Sequence, residues 1–194
     1  VTGLREKKKQ RTRRAIQEQA LRLFGRQGYE NTTVKQIADA AEVSERTFFR
    51  YFPTKEDVVL WDDLDFSFAT HFRAQPAASS SFEALRTALR DIFTELPLSE
   101  RRYLRERIAL MTSVPPLRAM LLDQLIDAGR VMATLVAERS GTTVDDPMVR
   151  ASVGAVIGAG FATVLAAQEN PQADFTALLD ETLGRLAVVT ADPG

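Results

Sequence analysis

The chain has 194 residues, 45% of them hydrophobic and 26% charged, enough to bury about 70% of its unfolded surface in a core of its own. Zero cysteines exclude disulfides, thiolate metal sites and thiol catalysis, and the single histidine, His71, leaves little for imidazole-based catalysis. The net charge of −1 hides a segregation: residues 1–55 hold 13 of the 25 basic residues against six acids, a net of +7, and the rest carries 12 bases against 20 acids, a net of −8. A basic segment on an acidic body is the distribution expected of a nucleic-acid-binding head, because phosphate attraction is useful only where contact occurs.

Apolar residues recur at spacings of three and four throughout, so the expected fold class is all-α, with about nine helices. The first covers residues 12–27, where Ile16, Ala20, Leu23 and Phe24 form one stripe and Gly28 ends it. Before it, the basic run Arg5 to Arg14 reads as an arm, either solubilising or following a DNA groove. Thr33 with Gln36 forms a capping box that opens a short helix whose Val34, Ile37, Ala38 and Ala41 face inward. Ser44 caps a helix of barely two turns that Pro53 stops, because a residue before proline avoids helical angles.

Thr54 with Asp57 repeats the capping signature, and Val58, Trp61, Leu64, Phe68 and Phe72 predict one long fourth helix leaving the head. Pro76 and its Ala- and Ser-rich neighbours form a loop, and further helices are expected at 82–96, 100–112, 117–139 and 147–169. Asp146-Pro147 and Asn170-Pro171 are start signals, and Phe175, Leu178, Leu179, Leu183 and Leu186 stripe the last helix. The basic start leads into an amphipathic segment rather than a signal-type apolar stretch, so a cytoplasmic location is expected. Residues 151–167 are too rich in Gly and Ala for a membrane partner to be expected.

Two short helices around a tight connection at residues 41–44 make a helix-turn-helix, whose second helix projects into a major groove. On that helix Phe48 and Phe52 share a face with Val43, leaving Glu45, Arg46, Phe49 and Arg50 outward. Arg46 can fork onto the O6 and N7 of guanine, and Phe49 can meet a thymine methyl. Thr33, Lys35, Thr47, Tyr51 and Lys55 suit phosphates, the helix N-termini beginning after Thr33 and Thr54 add backbone donors, and Ser44, the cap of the second helix, joins the candidate DNA contacts.

The stretches Thr33 to Ala38, Val43 to Phe52 and Thr54 to Val58 resemble the TetR family of bacterial transcriptional repressors, over about residues 10–60. Arg46, where the family commonly has a small residue, and Phe49, where it often has tyrosine, depart from its pattern and point to a private operator. The resemblance implies a DNA-binding domain at 1–54 and a ligand-binding and dimerisation domain at 55–194. It also implies a two-fold dimer on double-stranded, palindromic operator DNA, released by a small effector.

The small residues Ala151, Gly154, Ala155, Gly158, Ala159 and Ala162, with the leucines of the last helix, mark helices at about 147–169 and 174–189 as the homodimer interface; internal packing is the alternative. For an effector pocket the candidates are Trp61, Phe68, Phe72, Phe93, Met111, Met120 and Phe161, with Asp65 and Arg105 as polar groups, a set that any helical core would also show. Their character leans to a hydrophobic or aromatic effector. An enzyme is disfavoured: Asp62, Asp63 and Asp65 are the only dense carboxylates and lack the further ligands a cation needs, so neither metal nor cofactor is expected. The competing reading is a helical regulator or adaptor without a small-molecule ligand.

Overall fold

The computed structural model describes residues 3–60, 64–170 and 173–191. Among these, every regular element is helical, in ten pieces: α1 (Leu4–Gln27), α2 (Val34–Ala40), α3 (Glu45–Tyr51), α4 (Asp57–Leu60), α5 (Leu64–Ala74), α6 (Ser81–Glu95), α7 (Leu98–Ser113), α8 (Pro115–Ser140), α9 (Pro147–Glu169) and α10 (Phe175–Ala191).

The first helix begins eight residues before the expected start, so the basic run is helical rather than an arm. Lys and Arg are good helix formers but carry no apolar period, and periodicity alone misses such an extension. The expected fourth helix is described as α4 and α5, and Trp61, with Asp62 and Asp63, lies between them outside the described residues. The last helix starts at Phe175 rather than behind Asn170 and Pro171. Its cap is Asp174, whose Oδ1 accepts from the backbone N–H groups of Thr176 (2.9 Å) and Ala177 (3.3 Å). Asp146 does the same for α9, through Met148 (2.8 Å) and Val149 (3.4 Å).

In the head, Ile16, Ala20 and Phe24 of α1 close over Ile37 of α2 and Phe48 and Phe52 at α3, all buried. In the body, α5, α6 and α8 bury Phe68, Phe72, Leu85 and Leu117, and α9 and α10 complete the bundle through Val153 and Leu183. His71 ties α5 to α6: its Nδ1 is 2.8 Å from the Ser67 carbonyl and its Nε2 is 3.2 Å from Glu95 Oε2. The Ser67 carbonyl first, and then the Glu95 carboxylate, favour the protonated ring and raise its pKa despite opposing desolvation.

Head and body meet at α4, which packs against α1, α7 and α8. A one-turn helix satisfies almost none of its own carbonyls, so they must find donors elsewhere. Gln17 of α1 donates its Nε2 to the Val58 carbonyl (3.3 Å), and the buried Arg107 of α7 gives Nε to Val59 (2.7 Å) and Nη2 to Leu60 (3.0 Å). Gln124 of α8 adds Nε2 to Leu60 at 2.7 Å. Three helices thus hold one helix end. Arg107→Met removes the cost of burying a guanidinium but leaves the Val59 carbonyl without its side-chain donor and the Leu60 carbonyl with Gln124 alone. The second effect dominates: urea unfolding should show a loss of about 1–3 kcal/mol, partly recovered in Arg107→Lys.

Candidate nucleic-acid interface

The interface is built on three local devices. Gly28, at φ +83°, ends α1 in a conformation that L side chains rarely adopt, with its N–H on the Phe24 carbonyl at 2.9 Å. Thr33 and Gln36 then cap α2 reciprocally, Gln36 N–H to Thr33 Oγ1 at 3.2 Å and Thr33 N–H to Gln36 Oε1 at 2.8 Å. The connection to α3 passes through Glu42 at φ +54°, and Val43 returns its N–H to the Ala38 carbonyl at 2.9 Å. Ser44 caps α3, accepting from the Thr47 N–H at 3.1 Å.

Because Phe48 and Phe52 have no exposure at all, α3 has one rotational setting against the head. That setting turns Glu45, Arg46, Phe49 and Arg50 to solvent, with Phe49 49% exposed and its ring edge-on to Phe48 at 5.5 Å. Tyr51 is half-buried, and the guanidiniums of Arg13 and Arg50 lie 5.8 and 5.2 Å from its ring centre. Lys35 is exposed on α2. The Thr33 and Ser44 hydroxyls are engaged in capping and Thr47 Oγ1 is 3.0 Å from that of Ser44, so these three sit at helix N-termini where backbone donors already favour phosphate.

Lys55 is placed differently from a free phosphate contact. Its Nζ donates to the carbonyls of Tyr29 (3.0 Å) and Thr32 (3.2 Å) and lies 4.0 Å from the Tyr29 ring centre. Two of three donors are thereby spent on the turn between α1 and α2. Beside it the Tyr29 hydroxyl donates to Glu56 Oε1 at 2.6 Å. Burial, then this bond, push the phenol well above its ordinary pKa. Burial raises the Glu56 carboxyl too, but hydrogen bonds from Tyr29, its own backbone and Thr54, with the Lys55 charge, bring it below the usual carboxylate range. Arg13, Glu42 and this Tyr29–Lys55–Glu56 group carried no signal in the spacing of the sequence.

The candidate effector residues do not form one pocket. Phe68 and Phe72 stack on each other in the closed core, 6.0 Å between rings, and Met111 is buried with them in the bundle. Met120 is half-buried on α8, and Phe161 is 47% exposed on the outer face of α9. Phe93 instead lines a cavity of about 620 Å³ between α1, α6 and α7. Arg105 lines another of about 310 Å³, with Ile108, Ala167 and Phe175. Trp61 lies outside the described residues, and Asp65 is placed only by its position on α5.

The capped pair of helices with an outward basic and aromatic face defines a helix-turn-helix DNA-binding head on a helical body. Comparison with known proteins gives the family. The family of bacterial regulatory proteins, tetR family, matches residues 16–60, and the MftR C-terminal domain matches residues 79–191. The transcriptional regulator TcmR of Streptomyces glaucescens is 36% identical over 151 residues, which cover 74% of this chain and 67% of TcmR. MftR of Mycobacterium tuberculosis, named as a mycofactocin biosynthesis transcriptional regulator, is 30% identical over 175 residues, 87% of this chain and 84% of its own. Among solved structures, the Thermus thermophilus repressor FadR in complex with lauroyl-CoA superposes with a TM-score of 0.56 at 26% identity, over 90% of this chain and 93% of FadR. The chain belongs to the TetR family of bacterial transcriptional regulators.

Two outcomes follow from the geometry of the head. Glu42→Gly should stabilise the protein by about 1 kcal/mol in thermal unfolding, since glycine accepts the left-handed conformation that costs an L side chain about 1–2 kcal/mol. Lys55→Ala should lower the melting temperature and weaken binding to all DNA sequences alike, through a looser head. Its log–log salt slope should stay that of the parent; a slope lower by about one would make Lys55 a phosphate contact.

Proposed function

We propose that this protein is a ligand-responsive repressor that binds an inverted-repeat operator as a homodimer and leaves it when a small, apolar or aromatic effector binds the body. The carrying observation is the setting of α3: burial of Phe48 and Phe52 leaves Arg46, Phe49 and Arg50 together on an open face. In this reading Arg46 reads a base edge, Phe49 and Arg50 flank it, and Thr33, Lys35, Ser44, Thr47 and Tyr51 position the backbone. Residues 1–54 serve as the DNA-binding domain and 55–194 as the effector and dimerisation domain, working in the cytoplasm where the operator is. The FadR structure, solved with lauroyl-CoA on the same fold, supports a small-molecule effector.

The homodimer is supported by α9. A Cβ added at Gly154 or Gly158 would meet nothing within 4 Å, so no neighbour among the described residues requires glycine there. Exposed Phe161 (47%) and Leu165 (45%) share that side of the helix. The segment Pro147–Ala167, with a mean hydropathy of 1.7, is long and apolar enough to cross a membrane by length and composition. Its other faces pack on α6, α7, α8 and α10, which suits a helix completing its burial against a second copy of the chain.

Selection of bound fragments from the source genome tests the reading and yields the operator. Arg46→Ala should cost about 1–3 kcal/mol on that operator and relax preference at one position per half-site; retention of every sequence with unchanged affinity would refute the assignment. Gly158→Arg should convert the sedimenting species to monomer without lowering its helical content, because its side chain enters open space within one chain. A wild-type protein that is monomeric at micromolar concentration, with one half-site bound, would overturn the dimer.

A further inference from the structure

The largest of the cavities described lies at the seam between head and body, and one of its walls is the head's own first helix. Its volume of about 620 Å³ falls within the range of small-molecule sites. The α6 and α7 side supplies an apolar lining, including Ile92, Phe93 and Leu104, and α1 supplies Arg11, Arg14 and Gln17. Tyr103 is one of the lining residues, and its hydroxyl is buried with no hydrogen-bond partner among the described residues. A stranded buried hydroxyl is costly unless something completes it. Burial pushes it up to about 12, so it stays a donor at any physiological pH.

The charges around it are unevenly engaged. Glu95 faces His71, and Glu100 is taken by Arg14, which also holds Glu18 at 2.9 Å. Arg11 has no ion pair or hydrogen bond among the described residues. The unengaged donors on the lining, the Tyr103 phenol and the Arg11 guanidinium together with the Gln10 amide, are complementary to a hydrogen-bond acceptor carrying negative charge, with apolar walls that a neutral body can fill.

We propose that this seam cavity binds a small amphipathic carboxylate, its apolar body against Phe93 and Leu104 and its carboxylate accepting from the Tyr103 hydroxyl and Arg11. The acid end also competes with Glu100 for Arg14, the ion pair that joins α1 to α7. Occupancy therefore separates the head's first helix from the body, at the same place where Gln17 and Arg107 hold α4. The site is a direct lever on the head rather than a remote pocket. Only this consequence for DNA rests on the repressor reading; binding of the acid does not.

Calorimetric titration of the full chain with 2-naphthoate, against its neutral isostere 2-naphthamide, tests the site. We expect saturable binding of 2-naphthoate, at least about tenfold tighter than the amide. Tyr103→Phe should weaken it by about tenfold, as loss of a hydrogen bond to a charged group does, while the melting temperature of the ligand-free variant does not fall. Arg11→Gln, on an exposed helix surface, should weaken it several-fold without affecting folding, and Glu100→Gln should tighten it. Equal affinity for acid and amide, no saturation by the acid, or unchanged binding in both Tyr103→Phe and Arg11→Gln would overturn the proposal. Operator retention with and without 2-naphthoate is read separately. A protein that binds the acid but never DNA refutes the repressor reading alone, and one that binds DNA but not the acid refutes the site alone.

Discussion

The rest of the structure depends on a supply of donors for the end of a four-residue helix. Helix α4 is too short to stand by itself, since nucleating a turn costs more than its internal hydrogen bonds return. It exists because Gln17, Arg107 and Gln124 reach it from three other helices. Those three side chains come from α1, α7 and α8, so the same bonds that make α4 also fix the head against the body. Of the three, Arg107 matters most: its fork satisfies two successive carbonyls, which a lysine could not match in the same geometry. The negative end of the α4 dipole meets this guanidinium, so one buried cation serves both as cap and as counter-charge.

The second constraint is the burial of Phe48 and Phe52, and its effect is to make chemistry on the outer face of α3 independent of packing. A seven-residue helix with a fully buried Phe48 inside it and a fully buried Phe52 at its C-cap cannot roll without exposing one of them. Residues at 45, 46, 49 and 50 can then vary for DNA contact at no cost to the fold. The left-handed Glu42 marks where this precision is bought at some strain, because the turn must aim α3 and no glycine is present to do so freely.

The head was legible in the sequence and the seam was not, for a physical reason. Capping boxes such as Thr33 with Gln36 and Thr54 with Asp57 are local, so spacing alone reveals them, and both form in the structure. Phe48 and Phe52 follow from period alone in the same way. The clamp on α4 joins residues 41 to 64 positions apart, and nothing about a glutamine or an arginine in a helix announces a carbonyl that distant. Lys55 shows the same limit: its charge suggests phosphate, whereas its bonds go to Tyr29 and Thr32. The aromatic residues expected to line a pocket share one property, apolarity, that also buries them, and Phe68 and Phe72 lie in the closed core.

Magnitudes show why a seam of this kind can act as a switch. A hundredfold change in affinity for DNA corresponds to about 2.7 kcal/mol of difference between two arrangements of head and body. A neutral hydrogen bond contributes about 0.5–1.5 kcal/mol net, and one to a charged group about 1.5–3. The four bonds on α4, two of them from a guanidinium, therefore span more free energy than such a change requires, and rearranging one or two is enough. The core aromatics could not serve so well. Displacing a buried phenylalanine costs several kcal/mol and threatens the fold, whereas donors at a polar seam can exchange one acceptor for another. By linkage, an effector that released DNA by loosening this seam would itself bind more weakly when DNA holds the head, and by the same factor.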